Sequence, residues 1–442
     1  MDRGSTSQKK ILMRPASSKV SNLLKLVQER EMSRKNYVKQ HDHLNKDENK
    51  QQSDLLLVPN LTKDCIIEIL LRLPLESLWD SRLVCKLWFK MINTSFLADA
   101  FFLKSELGFI FQMPVQEGKE SDRLFCVDER LHASKSISIF CSIVKKQKKL
   151  QMHYMEIKDG ECHVKELDIS CFGRIIATCD GLVLVENTMK RGGLVVVNAV
   201  TKQMMGLPLG TLFSAENESY GFAYDSSIDE YKVVHLFRDE MRYIGCEVMA
   251  LGAAESWKPI DGPSYGLLTW FQQAPVSAIG ALHWMPHKVR SEYVVSMSIT
   301  DEKFRKTQLP TMAGVYDGLV DLGGFLCFVN HDQGKHIDLW ILKDLFEKNW
   351  VKQHKLTLTN PKAMVPMASS RNGNEMYFRT PLITGHEDCA VYVYDIELHQ
   401  LSKVKINKNY FAAQWSYFPH INSLMSWRNH RCVRKEDNKL VS

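Results

Sequence analysis

Residues 181–208 read GLVLVENTMKRGGLVVVNAVTKQMMGLP. A glycine opens an apolar strand, a polar stretch follows, and a second apolar strand passes through a short polar turn into a third run. Short Val-, Ile- and aromatic-rich runs bounded by turn residues are the pattern of β-strands. The unit recurs: glycines that open apolar strands stand at Gly181, Gly221, Gly280, Gly324 and Gly373, at intervals of 40, 59, 44 and 49 residues. Each is followed by a strand, a turn and another strand, at 194–208, 246–260, 293–310, 337–353 and 391–406. A repeat of about 40–50 residues with about four strands per unit is what propeller blades require. Residues 109–157 supply a sixth, more divergent unit, and the apolar start of 410–427 completes a blade. The expected fold is therefore α + β multidomain, with an all-β, propeller-like part of about six blades; a β-sandwich is the alternative. The glycine is expected where strands converge and backbones approach closely, since a generic hairpin turn explains one copy but not five in register. Trp257, Trp284, Trp340 and Trp350 are read as matching positions that pack between adjacent sheets.

Upstream the texture differs. Residues 57–92, LVPNLTKDCIIEILLRLPLESLWDSRLVCKLWFKMI, hold short apolar helices around Pro74. Thr62 is the expected N-cap, and Ile66, Ile69, Leu70 and Leu73 recur at i, i+3, i+4, i+7. Ile67 and Leu71 make a second face apolar, and Pro74 biases Leu73 out of the helical region. A second periodic run holds Leu83, Val84, Leu87, Trp88, Met91 and Ile92. About 40 residues rarely supply a self-sufficient core. The pattern alone leaves two readings open, a subdomain buried on the rest of the chain or a module that offers its surplus face to a partner.

The stretch resembles an F-box, the motif with which substrate receptors dock onto the Skp-type adaptor of a cullin-RING ubiquitin ligase. The matching pieces are Val58-Pro59, Ile67, Ile69-Leu70, Arg72-Leu73-Pro74, Ser77-Leu78, Arg82, Val84-Cys85-Lys86, Trp88, Ile92 and Phe96. Val58 departs from the usual leucine, and bulky Trp79 follows Leu78. Downstream, Asp180-Gly181-Leu182, Tyr220-Gly221-Phe222-Ala223-Tyr224-Asp225, Asp229 to Val234, Ser256-Trp257, Gly280 to Trp284, Asp301 to Phe304, Leu309-Pro310 and Leu339 to Asp344 resemble the F-box-associated, kelch-like domain of plant F-box proteins. Asn198-Ala199 stands where that family has Asn-Pro, and Ser298 where an aspartate is common. The resemblance implies a small three-helix F-box at 55–104 and a β-propeller-like substrate-binding domain at 105–425. It implies that Pro59, Ile67, Leu70, Leu73, Pro74, Leu78, Val84, Cys85 and Trp88 form or support the adaptor interface, Val84 and Trp88 being candidates for holding the helices together. The implied function is a non-catalytic substrate receptor of an SCF-type ligase, with an unidentified protein as substrate. A non-degradative binding protein with a vestigial F-box is the alternative.

Of the 442 residues, 45% are hydrophobic and 24% charged, as in ordinary globular proteins. Residues 1–54 hold 12 Lys/Arg against 7 Asp/Glu, or +5, so the other 388 residues total +1 of the net +6. That leader reads as disordered and basic, residues 426–442 as a charged tail, and the nearly neutral remainder as a poor nucleic-acid binder. No run of about 18 apolar residues exists to span a membrane. The N-terminus lacks the apolar core of a secretory signal. The 11 scattered cysteines, without a CxxC pair, read as reduced thiols of the cytoplasm or nucleus.

No catalytic, cofactor or metal constellation stands out. Cys162, Cys171 and Cys179 lack the spacing of a zinc site. His283 and His287 are separated by Pro286 and share no helix face. Asp301-Glu302 reads as a solvated hairpin tip, and Gly192-Gly193 and Gly323-Gly324 lack the strand-to-helix setting of a phosphate loop. The lysines between 145 and 149 read as a hairpin tip or a basic patch.

Overall fold

The computed structural model describes residues 62–114 and 150–427, apart from 172, 188–192, 213–217, 239–240, 242, 253–255, 265–273, 288–289, 333–335, 347–348, 358–363, 381–389 and 407–415. The leader 1–54, Pro59, the lysines at 145–149 and the tail beyond residue 427 lie outside the described residues. The chain divides into two units, Met1–Ile66 and Ile67–Ser442.

Among the described residues four short helices precede the strands: α1 (Lys63–Leu70), α2 (Leu75–Ser81), α3 (Lys86–Ile92) and α4 (Ser95–Lys104). Thr62 Oγ1 accepts from the Cys65 amide at 3.3 Å, the expected cap. Pro74, extended at φ −55°, ψ 146°, ends the first apolar run and stands as the N-cap position of α2. Thr94 caps α4 by accepting from the Leu97 amide at 3.4 Å.

The strands form six four-stranded antiparallel sheets. Blade 1 orders β24 (Phe418–His420), β1 (Gly108–Pro114), β2 (Leu150–Lys158) and β3 (Glu161–Cys171). Blade 2 holds β4 (Ile175–Cys179), β5 (Leu182–Asn187), β6 (Gly193–Asn198) and β7 (Met204–Gly206). Blade 3 holds β8 (Glu218–Asp225), β9 (Glu230–Arg238), β10 (Ile244–Ala250) and β11 (Lys258–Ile260). Blade 4 holds β12 (Val276–Ala278), β13 (Ala281–Trp284), β14 (Tyr293–Ser298) and β15 (Phe304–Gln308). Blade 5 holds β16 (Gly318–Leu322), β17 (Phe325–Asp332), β18 (His336–Leu342) and β19 (Trp350–Thr357). Blade 6 holds β20 (Val365–Ser369), β21 (Glu375–Arg379), β22 (Val391–Asp395) and β23 (Gln400–Lys403).

The sheets close into a ring. Their first strands touch in the cyclic order β24, β4, β8, β12, β16, β20 and back to β24. Every junction between neighbours has its own apolar cluster, including Phe109, Tyr377 and Val391 between blades 6 and 1, and Ile110, Met152 and Val183 between blades 1 and 2. A six-bladed propeller follows, and a sandwich of two packed sheets is excluded. Each blade is covered on both faces, which is why β6 (GLVVVN) is buried throughout and reads as an unbroken apolar run rather than an alternation. Closure is made by the C-terminal strand, with Gly108 paired to His420 and Ile110 to Phe418.

The repeated glycines have two explanations, not one. Gly181, Gly280, Gly324 and Gly373 sit in the tight turns between first and second strands, at φ +88°, +71°, +88° and +75°. The turn recurs in register because every blade needs it. Gly221 lies inside β8, where an added Cβ would stand 2.4 Å from Leu282 of the next blade, and there close approach is the reason.

The tryptophans likewise split. Trp257 and Trp350 are equivalent: each begins or precedes a fourth strand and donates its indole N–H, at 2.8 Å, to a carbonyl at the end of the preceding blade, Pro208 and Gln308 respectively. Trp284 lies on a second strand, where it donates to Ser219 Oγ at 3.1 Å, and Trp340 on a third. All four touch or approach a blade junction, but at three strand positions rather than one.

Candidate functional site

Among the helices, α2 packs on α3 and α3 on α4. Leu70, Leu78, Trp79, Met91, Ile92, Leu97, Ala98 and Phe101 are buried. Leu103 of α4 is 47% exposed, and Ile69, Leu83, Val84 and Phe89 are 41%, 79%, 66% and 50% exposed. The latter four mark the ends and outer faces of α1 and α3 and the link between α2 and α3. Beside them Arg82 stacks its guanidinium 3.7 Å from the centre of the Trp79 ring, which shields that indole from water.

Of the residues read from sequence as the docking set, Leu70 and Leu78 lie fully inside. Ile67, Leu73, Cys85 and Trp88 are half-buried, and Pro74 and Val84 face solvent. Cys85 has a local task, since its sulfur accepts from the Trp88 amide at 3.5 Å and caps α3. Val84 does not hold the helices together, because two thirds of it is exposed. Sequence reasoning passed over Leu83 and Phe89 as docking residues. Leu83 belongs to the second periodic run, which has more apolar positions than a single buried face of a short helix can use, whereas Phe89 stands outside that run.

On the ring, the links between second and third strands and the links between blades leave from one edge. Leu209, Leu212, Met241, Tyr243, Met312 and Val315 are exposed on links of this edge. Two buried carboxylates pin two of the inter-blade links. Glu247 accepts from the Thr211 amide at 2.9 Å and from Thr211 Oγ1 at 3.0 Å, and lies 2.8 Å from His235 Nδ1. Burial alone would raise its pKa, but the bonds to His235 and Thr211 outweigh it and hold it below the usual glutamate range. His235 in turn stacks on Tyr220 with ring centres 4.3 Å apart. Asp317 accepts from the Gly314 amide at 2.7 Å, the Asn330 side chain at 2.8 Å and the His331 amide at 2.8 Å. It too is held low, burial being outweighed by these bonds and by the His331 ring. Leu209, Leu212, Met312 and Val315 thus stand on inter-blade links with fixed roots.

The remaining sequence candidates resolve into structure. His283 is buried between Ser296 Oγ at 2.8 Å and the Ala278 carbonyl at 3.0 Å, and does not join His287. Asp301-Glu302 is not a solvated tip. Glu302, in the left-handed region at φ +55°, turns back onto blade 3 and meets Lys232 and Lys258, while Asp301 pairs with Arg305. Gly323-Gly324 form a strand-to-strand turn. Among the described residues no group of His, Cys, Asp or Glu is assembled to hold a metal ion. No described helix is long and apolar enough to cross a membrane.

A six-bladed ring with short helices ahead of it is the architecture of a known class: residues 124–431 match the family model of the F-box associated beta propeller domain, and the chain belongs to that family. Its relatives carry the corresponding names. The F-box/kelch-repeat protein At3g23880 of Arabidopsis thaliana is 24% identical over 361 residues, covering 76% of this chain and 94% of that protein. The F-box protein CPR1 of the same plant is 25% identical over 308 residues, covering 58% of this chain and 72% of that one. The likeness to plant F-box proteins read from residues 58–96 and 180–344 agrees with these matches, and none of them indicates an enzymatic family.

Proposed function

We propose that this chain is the substrate receptor of an SCF-type cullin-RING ubiquitin ligase. The helices dock a Skp-type adaptor, and the ring captures a protein substrate through the edge that carries Leu209, Leu212, Met241 and Tyr243. The observation that carries this reading is the exposure of Leu83, Val84 and Phe89, at 79%, 66% and 50%, beside helices that bury Leu70, Leu78, Met91 and Ile92. Burying them against a partner is worth roughly 1.5–3 kcal/mol for each side chain fully covered. The chain itself moves no proton and makes no bond. Holding substrate near a ubiquitin-charged enzyme raises the effective concentration of the attacking lysine, which is how a receptor accelerates a reaction it does not perform. The unpaired cysteines Cys65, Cys85, Cys162, Cys179, Cys246 and Cys327 suit a reducing compartment, the cytoplasm or the nucleus.

The test is adaptor capture by Val84→Asp/Phe89→Asp, because both side chains face solvent and the fold tolerates their exchange. Loss of adaptor and cullin from the purified complex, with an unchanged unfolding midpoint, supports the reading. Retention of the adaptor by the folded variant overturns it. Leu70→Asp is a poor substitute, since a charge at a fully buried site unfolds the helices whatever they bind.

A further inference from the structure

Only residues 105–107 connect α4 to β1. Such a short link fixes how far the helices stand from the ring, but rotation about its backbone bonds leaves their direction open. One side chain from a distant part of the sequence closes that freedom. Arg371 sits in the turn between β20 and β21 of blade 6 and reaches the C-terminal end of α4. Its Nη1 donates to the carbonyls of Phe102 and Ser105, the latter at 3.4 Å, and its guanidinium lies 4.2 Å from the centre of the Phe102 ring. The last carbonyls of a helix have no partner within it and carry its negative end, so a cation there satisfies both needs.

The turn that presents Arg371 is itself braced. Ser370 Oγ stands 2.6 Å from Asn372 Oδ1, and the Gly373 amide donates to the Ser370 carbonyl at 2.9 Å. Gly323 of the neighbouring blade packs so close that a Cβ on it would stand 3.4 Å from the Gly373 Cα. A planar donor that hydrogen-bonds the helix end and stacks on its aromatic ring constrains rotation in a way that one point contact cannot.

We propose that Arg371 is a positioning residue: it fixes the direction in which the helices leave the ring, and with it the orientation of the adaptor-docking side chains relative to the substrate-binding edge. The second half of this statement rests on the receptor reading above; the first does not.

The experiment uses the full chain with spin labels introduced through unnatural amino acids at Lys86 and Ser226, both exposed. Arg371→Ala is expected to broaden the distance distribution between the labels and to speed amide exchange at the end of α4 about tenfold, as loss of a charged hydrogen-bond donor implies. Arg371→Lys restores the charge without the planar contact and falls between. Should Arg371→Ala not fold, Phe102→Ala removes the stacking partner and leaves the turn intact. In a reconstituted ligase, the set of lysines on the chain that receive ubiquitin widens in Arg371→Ala while adaptor affinity stays the same. A folded Arg371→Ala variant with an unchanged distance distribution and an unchanged lysine set overturns the proposal. If the wild type is not modified at all, the receptor reading fails, while the distance measurement still decides the role of Arg371.

Discussion

Lys232 on blade 3 and Glu302 on blade 4 meet at 2.9 Å, with the lysine side chain 7% exposed. The same ammonium lies 3.0 Å from Asp225 and donates to the Ile299 carbonyl at 2.9 Å. It is a buried charge with every donor used, strapping two sheets across a largely apolar junction.

Lys232→Met should therefore cost about 3–5 kcal/mol, because it leaves two sequestered carboxylates without their cation. Lys258, the outer partner of Glu302 and 68% exposed, should cost less than about 1 kcal/mol when changed to alanine. Equal losses for the two variants, measured by denaturant unfolding, would contradict this account of the network.

Acid should weaken the ring in two windows. Burial pushes the imidazoles of His283 and His420 down to about 4, outweighing their bonds to Ala278 and Asn422. An unfolded histidine takes up its proton near about 6.5. Protons thus bind the unfolded chain first, so the stability these rings contribute is complete above that value and drains away as the pH falls toward about 4. Asp225 and Glu302 are held below the usual carboxylate range; burial opposes this, but the bonds from Ser227, Lys232 and Lys258 prevail. Their contribution survives into more acid solution and is lost only below the ordinary carboxylate pKa. The urea midpoint should fall between pH 7.5 and pH 5, and His283→Gln should flatten that fall even if it lowers the whole curve. An unaltered slope in the variant removes His283 as the cause.

Much of this was legible in the sequence, and the limits have physical causes. Propeller blades repeat a local unit, so turn spacing and apolar runs reveal them. The apolar start of 410–427 reads as a closing strand, but its partner lies about three hundred residues away, and local patterning does not say that Phe418 pairs with Ile110. Glu302 looked like a solvated tip because its left-handed backbone, which swings it onto Lys232, is invisible in the letters DE. In the helices, Leu78 and Leu83 read alike as apolar positions, yet one is buried and the other exposed, since a face is surplus only once its neighbours are placed. The sequence therefore marks an apolar segment without showing which of its side chains face outward.

Two glycines offer a direct comparison. Gly280→Ala meets no atom within 4 Å and should cost only the backbone strain of a positive φ, on the order of 1–2 kcal/mol. Gly181→Ala adds a Cβ 2.1 Å from Ser423 Oγ and 2.5 Å from the Ile421 carbonyl, so it should cost more and displace the segment after β24. Thermal unfolding of the pair measures the difference, and equal midpoints would show that the segment yields freely.

Asn198 should prove to be the anchor of that segment. Its Nδ2 donates to the carbonyls of Ser423 and Met425 at 3.1 and 2.9 Å, while its Oδ1 accepts from the amides of Val200 and Thr201. Asn198→Ala leaves buried groups unpaired and should destabilise by about 2–4 kcal/mol, with amide exchange rising first in residues 421–427. Exchange rising first in another blade would refute the anchor.

Among the described strands, the one that seals blade 1 is synthesised after all the others. Everything that reads as a docking module is synthesised long before residues 418–420 exist, and until they pair with β1 the first sheet has three strands and an open inner edge. A chain cut short by premature termination would still present its helices to a partner, but on an unsealed ring with apolar strand surface in water. Synthesis through residue 420 is thus built into the fold as a condition of the closed ring, through a pairing that a chain ending before β24 cannot make.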